Sequence, residues 1–293
     1  MCEKFVSRQP SSRSPASGKV SVRPPRHGLA RVLSRMGICS RSEAARRIVA
    51  GRVKVNGRVA CDPEMPADPS NDRIEMDGLV AGASERVCIM LNKPRGLVVS
   101  TADEQGRETV YALLRDGGLP WLAPVGRLDK ASEGLLLMSN DPVWAARMTE
   151  PDLHVLKTYR VQVRGVPDAA TLHHLHAGIM DRGERLSAKS VQVIGGGEKN
   201  TWLQIALAEG RNRQIRRMLG ACGHEVLRLM RIAIGPVELG ELPKGAWRRL
   251  GEAELLGLAA SPEAGTAEAR GFKRAASRRR SRFPSRADPD RRW

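Results

Sequence analysis

From Arg86 onward the chain is a succession of short β-type runs joined by connections of hairpin length, and this pattern limits the fold more than any other feature. Residues 87–91, 97–100, 135–138, 159–163, 190–194 and 202–207 alternate in polarity or are rich in branched side chains, the signature of strands. Helical patterns fit residues 109–114, 142–149, 168–177 and 212–222, the second with Asp141 as cap and Pro142 in its first turn. Gly195-Gly196-Gly197 marks one tight connection. Strands therefore outnumber helices, which predicts an α+β fold on a mixed, mainly antiparallel sheet over residues 86–258. No Gly-x-Gly-x-x-Gly follows a strand, which weighs against a nucleotide or methyl-donor enzyme of the Rossmann type.

A smaller unit precedes this body. Residues 29–36 read as a short helix stopped by Gly37. Ser40-Arg41-Ser42-Glu43 is a capping box opening a second helix, with Ala44, Ala45, Ile48 and Val49 as its apolar side and Gly51 as its end. Val53 and Val55 alternate with charge as a strand, and Asn56-Gly57 turns the chain into Arg58-Val59. Arg41, Arg46, Arg47, Arg52 and Lys54 stud this helix–helix–hairpin, which is too small to hold a pocket and is suited to grasping a nucleic-acid backbone. It resembles the alpha-L (S-four-type) RNA-binding motif. Residues 62–72, acidic and proline-containing, read as a linker followed by a strand at 73–76, so the unit with its linker spans residues 28–78.

Charge is distributed unevenly. The net charge is +17, yet residues 61–269 hold 25 bases and 28 acids. Residues 1–27 carry six bases against one acid, residues 270–293 ten against two, and residues 28–60 eight against one. Such a balance implies a polyanionic partner, ordinarily nucleic acid, held by the N-terminal unit and the tails. The tails, residues 1–27 and 259–293, read as disordered and basic. Five scattered cysteines without a Cys-x-x-Cys pair argue for a reducing compartment, against a disulfide framework and against a zinc knuckle. No apolar run approaches the roughly 20 residues of a membrane span, and the N-terminus has no apolar signal core. A cytoplasmic protein without membrane attachment is expected, although the Ser/Arg-rich N-terminus leaves an organellar transit peptide open. His173-His174-x-His176 does not converge on one helix face, so no metal site is expected.

Three segments carry chemistry. In the stretch from Val125 to Leu137, Asp129 lies on a turn between two apolar runs, flanked by Arg127 and Lys130 and bracketed by Gly126 and Gly134. That is either a polar hairpin tip or a carboxylate site with positive charge beside it. In Lys157-Thr158-Tyr159-Arg160, one of only two tyrosines opens a strand. In Glu209-Gly210-Arg211-Asn212-Arg213-Gln214-Ile215-Arg216-Arg217-Met218-Leu219, a helical period puts Ile215, Met218, Leu219 and Cys222 on one stripe. Arg213 and Arg217 then face solvent, while Arg216 sits at the stripe's margin and calls for an anionic partner, with Asp129 a candidate.

Taken in order, Gly-Arg-Leu-Asp, Ser-Glu-Gly-Leu-Leu, Lys-x-Tyr and Glu-Gly-Arg-Asn-Arg-Gln-Ile-Arg-Arg-Met, with Leu91-Asn92-Lys93-Pro94-Arg95-Gly96 upstream, resemble the ribosomal RNA pseudouridine synthases of the small-subunit/large-subunit uridine synthase family. The similarity runs from about residue 28 to 258. It implies that Asp129 is the catalytic aspartate, acting on the ribose while the glycosidic bond is cleaved. Uracil is then turned and rejoined through carbon 5. Tyr159 would stack on the base and assist proton transfer, Arg216 would pair with Asp129, and Arg127 and Leu229 would contact the substrate. Arg213 and Arg217 join the basic residues of the N-terminal unit as RNA contacts. The implied partner is ribosomal RNA or a ribosomal subunit precursor. Large-subunit RNA is favoured by Ser132-Glu133-Gly134 and residues 227–235. The implied enzyme is a monomer that flips its target base and needs neither cofactor nor metal. Two alternatives stand beside this: a non-catalytic RNA-binding ribosome-assembly factor, and an RNA glycosidase using Asp129 and Glu133 as a carboxylate pair.

Overall fold

The computed structural model describes residues 27–82, 85–100, 105–150 and 155–260. The basic tails expected from the sequence lie outside the described residues, except that His27, Ala259 and Ala260 belong to regular elements. Among the described residues no helix is long and apolar enough to cross a membrane.

The N-terminal unit comprises β1 (His27–Gly28), α1 (Leu29–Arg35), α2 (Arg41–Val49), β2 (Val53–Val55), β3 (Arg58–Ala60), β4 (Pro66–Ala67), β5 (Ile74–Met76) and β6 (Leu79–Val80). Ser40 caps α2, its Oγ accepting from the Glu43 N–H at 3.1 Å. Asn56 and Gly57 both adopt positive φ, the backbone a two-residue hairpin turn requires, and β3-β2-β5-β6 form an antiparallel sheet. Leu29, Leu33, Ala44, Ile48, Val53 and Ile74 close a core of their own. Residues 62–72 are more than a linker, because β4 pairs with β1 there. Val49 is 66% exposed rather than on the apolar side of α2: it falls about 100° round the helix from Ile48, off the Ala44–Ile48 stripe.

The larger body contains β7 (Cys88–Lys93), β8 (Ala123–Val125), β9 (Glu133–Ser139), α3 (Pro142–Thr149), β10 (Lys157–Arg164), α4 (Ala169–Ala177), β11 (Ile179–Asp181) and β12 (Glu184–Leu186). It continues with β13 (Ser190–Gly196), β14 (Asn200–Leu207), α5 (Gln214–Ala221), β15 (Val226–Ile234), β16 (Val237–Glu238), β17 (Trp247–Arg249) and α6 (Glu252–Ala260). Among the described residues its main sheet has nine strands, ordered β13-β14-β10-β15-β9-β7-β17, with β16 beside β15 and β8 beside β9. This is the α+β, mainly antiparallel architecture expected. Among the described residues the sheet's one parallel ladder, β15 with β9, is two pairs long, Met230 with Glu133 and Arg231 with Gly134, so the sheet's halves meet at a narrow crossing. Gly134 makes that crossing possible. Its φ is 102°, and a Cβ there would lie 2.2 Å from the Arg231 carbonyl oxygen. The glycine lets one strand approach the other.

Ile89, Leu91, Leu136, Tyr159, Val161, Leu203 and Leu229 line one sheet face, packed against Leu175 of α4 and Ile215, Met218 and Leu219 of α5. On the opposite face Met90, Leu135 and Leu137 pack against Met148 of α3 and Leu258 of α6. Residues 97–100 do not form a strand; Val98 makes a single bridge to Thr109, and residues 110–114 coil as a short 3-10 turn. β15 escaped the sequence reading because Arg228 and Arg231 interrupt its apolar pattern.

Candidate active site

The Asp129 turn links β8 to β9 at the seam of the sheet. Leu128 is buried in the same core cluster as Tyr159 and Leu229, whereas the Asp129 carboxylate beside it is 30% exposed. The turn is shaped from below by Lys93, which is fully buried at the end of β7. Its ammonium donates to the carbonyl oxygens of Pro94 (3.0 Å), Asp129 (3.3 Å) and Ser132 (2.8 Å). Burial pushes the Lys93 pKa down to about 8, against the opposing pull of Asp129 and Glu133. Gly96 N–H donates to the Lys130 carbonyl at 2.8 Å, tying the segment after β7 to the same turn. Arg95, Gly96, Lys130 and Ala131 line an open depression of about 410 Å³ there. The Asn-Lys-Pro segment was visible in the sequence, but a lysine next to a proline reads as solvent-exposed. Nothing local shows that it points inward.

The second wall is the start of α5. Arg213 precedes the helix in the left-handed region (φ 49°, ψ 31°), and its Nη1 lies 3.7 Å from Asp129 Oδ2. Gln214, buried at the first position, locks this entry. Its side chain accepts from the Arg211 N–H (3.2 Å) and donates to the Ser187 carbonyl (3.1 Å) and Glu209 (2.9 Å). The expected partner of Asp129, Arg216, is not within ion-pair distance; Arg213 is, because the left-handed residue ahead of the helix turns back toward the Asp129 loop. Arg216 is half-buried, with Nη1 donating to the Val226 carbonyl at 3.0 Å, while its Nε and Nη2 are buried without a partner. Burial and the nearby Arg213 hold its pKa below the usual guanidinium range, and Asp129 pulls the other way.

Arg217 was expected to face solvent as an RNA contact and does not. Its side chain is 13% exposed and bonds to Asp181 and, at 2.6 Å, to Glu184 on the β11–β12 hairpin. The expectation failed because those two acids lie more than thirty residues away in sequence and meet α5 only in the fold. Tyr159 is 9% exposed, and among the described residues its hydroxyl has no hydrogen-bond partner. Leu229 is buried at 7% on the same face, and Arg127 is exposed on the Asp129 turn. Glu133 is unsuited to act as a second carboxylate. It is 1% exposed, and Arg228 (2.8 Å) and Lys244 (2.9 Å) engage its two oxygens. Burial opposes its ionisation, yet those two cations hold its pKa below the usual carboxylate range.

On the N-terminal unit most of the expected RNA contacts are occupied within the fold. Arg47 pairs with Glu43 and Asp77, Arg52 with Asp77, Arg41 with Glu64, and Arg46 with Glu43. Lys54 is exposed without such a partner among the described residues, as are Arg31, Arg35 and Arg58, which the sequence reading did not single out.

Comparison with known proteins bears on this arrangement. The RNA pseudouridylate synthase family matches residues 87–221, and the S4 domain matches residues 28–74. A protein of Aquifex aeolicus named as an uncharacterized RNA pseudouridine synthase is 39% identical over 225 residues, covering 76% of this chain and 90% of that one. The ribosomal large subunit pseudouridine synthase B of Bacillus subtilis is 36% identical over 240 residues, covering 81% and 97% respectively. A crystal structure of a pseudouridylate synthase superimposes with a TM-score of 0.56 at 30% identity, spanning 79% of this chain and 99% of that chain. With an Asp129 turn set on a seam between sheet halves, an arginine-bearing helix opposite it and an S4 domain in front, the chain belongs to the RNA pseudouridine synthases.

Proposed function

We propose that this protein isomerises a uridine of large-subunit ribosomal RNA to pseudouridine in the cytoplasm, acting as a monomer, with Asp129 as the group that attacks. The observation that carries the reading is the Asp129 turn itself. One carboxylate is left accessible on a loop whose backbone is pinned by a buried lysine, with one arginine beside it and a second, half-satisfied one behind. A positioned anion in a site of fixed dipoles is what a group needs to act on a ribose as the glycosidic bond opens. The relatives named as large-subunit synthases support the choice of RNA.

In this reading the target uridine leaves its stack, at a cost of a few kcal/mol, and enters the cleft beside Tyr159 and Leu229. Stacking on an aromatic ring returns roughly 1–3 kcal/mol. Asp129 acts on the ribose, uracil detaches, turns and bonds through carbon 5, and the proton lost from that carbon is taken up with help from Tyr159. Atoms balance, since the product is an isomer of the substrate. Arg213 holds Asp129 in the free protein, and Arg216 supplies its unpartnered N–H groups once RNA closes the site, where hydrogen bonds shorten. Arg127, Arg95 and Lys130 meet the phosphates flanking the flipped nucleotide.

Pseudouridine mapping of ribosomal RNA incubated with wild type and Asp129→Asn tests the proposal. Modification should disappear in the variant, with loss of at least about 10²-fold in rate, the lower end for a positioned catalytic group. Modification that persists in Asp129→Asn removes this mechanism. RNA binding without modification by the wild type favours the assembly-factor reading.

A further inference from the structure

We propose that the open half of the sheet, on the face opposite Tyr159, is a second RNA-contact surface centred on Trp202. The proposal rests on the reading that the substrate is RNA, and it extends recognition beyond the catalytic cleft. Antiparallel register sets the residues of this face. Gln162 of β10 stands opposite Trp202 of β14 and Arg228 of β15, while Arg160 stands opposite Gln204 and Met230, and Gln192 of β13 opposite Gln204. Residues opposite one another project from the same face. The intervening Val161, Val163, Leu203 and Ile205 are buried on the other side, under α4 and α5.

The guanidinium carbons of Arg160 and Arg228 lie 5.5 and 5.6 Å from the Trp202 ring centroid, so one indole orders two cations. Arg228 is further fixed by Glu133, its Nε donating at 2.9 Å. Arg160 is exposed and has no carboxylate partner among the described residues. Beside the indole the edge strand carries Gly195, and nothing lies within 4 Å of where its Cβ would be. Among the described residues, α3 packs on this side of the sheet against β8 and β9 and α6 against β16, while Trp202 keeps part of its surface exposed. Oriented guanidinium donors amid glutamine amides complement a phosphodiester chain with its 2′-hydroxyls.

The test compares a long large-subunit RNA fragment with the shortest trimmed RNA that is still modified. Arg160→Glu, and separately Gln204→Glu as a partly exposed second variant, should weaken binding of the long RNA roughly tenfold, the value of one charge-assisted hydrogen bond. The log–log salt slope should fall by about 0.7–0.9 per lost contact in Arg160→Glu. Trp202→Ala should do the same by releasing both arginines. kcat/KM on the shortest RNA should stay at the wild-type value in all three. Unchanged affinity and slope for the long RNA overturn the proposal, and so does an equal loss on both RNAs, which places the effect in the cleft or the fold. If wild type forms no pseudouridine in any RNA, the isomerase reading fails, while the affinity and slope comparison still decides this surface.

Discussion

Lys93 is a fully buried cation bonded to three carbonyl oxygens, two of them in the Asp129 turn. Lys93→Met should leave those oxygens without a donor and destabilise the protein by about 1–3 kcal/mol. It should also lower kcat, because the turn that aims Asp129 loses its support. The pH dependence follows from its depressed pKa, about 8 when folded against 10.5 unfolded. Between those values the unfolded chain binds the extra proton, so wild-type stability relative to Lys93→Met rises with pH from about 8 to 10.5 and falls as pH drops through 8. Denaturant midpoints of the two proteins across that range check the sign, and a flat difference would show that Lys93 is not the titrating group. Asp129 and Tyr159 were readable in the sequence because their motifs are contiguous. Lys93 was not, because its role depends on which way a side chain points.

The first turn of α5 decides which arginine meets Asp129. Arg213 sits at φ 49°, a backbone that costs a residue with a Cβ roughly 1–2 kcal/mol. Arg213→Gly should therefore keep stability within about 1 kcal/mol of wild type while turnover drops, a split read from thermal denaturation beside single-turnover rates. Arg216→Ala should cut turnover far more than RNA affinity, since two of its guanidinium nitrogens are unpartnered in the free protein. Arg217 acts one level higher, tying α5 to the β11–β12 hairpin through Asp181 and Glu184. Arg217→Ala should lower stability by about 1–3 kcal/mol and slow turnover, without the loss of salt dependence that removing a phosphate contact would bring. Salt titration of RNA binding makes that distinction. A helical wheel located the apolar stripe of α5 correctly, since Ile215, Met218 and Leu219 are buried. It could not place the arginines, because a wheel assumes the whole segment is helical and that its polar face meets water.

At the scale of the whole molecule, the excess positive charge and the Asp129 turn lie in different parts of the chain. The larger body is close to neutral, and the excess of bases lies in the N-terminal unit and the tails. Within that unit, however, internal carboxylates already neutralise most of the arginines first expected to touch RNA. Replacing Arg31, Arg35, Lys54 and Arg58 by Ala should flatten the salt dependence of RNA binding by about 0.7–0.9 per contact, whereas Arg47→Ala and Arg52→Ala should mainly reduce stability. An unchanged slope in the fourfold variant would move capture elsewhere on the chain. The sequence alone determined the fold class, the capping box and hairpin of the N-terminal unit, the helix behind Asp141 and the order of the motifs. Each of these is written in neighbouring residues, through period, capping or turn chemistry. Only the tertiary structure decided that Arg213 rather than Arg216 stands beside Asp129, that Arg217 and Glu133 are bound within the protein, and that Lys93 lies beneath the turn. Those outcomes depend on charges far apart in sequence meeting in a desolvated space, and no local pattern encodes which of several similar cations gets there.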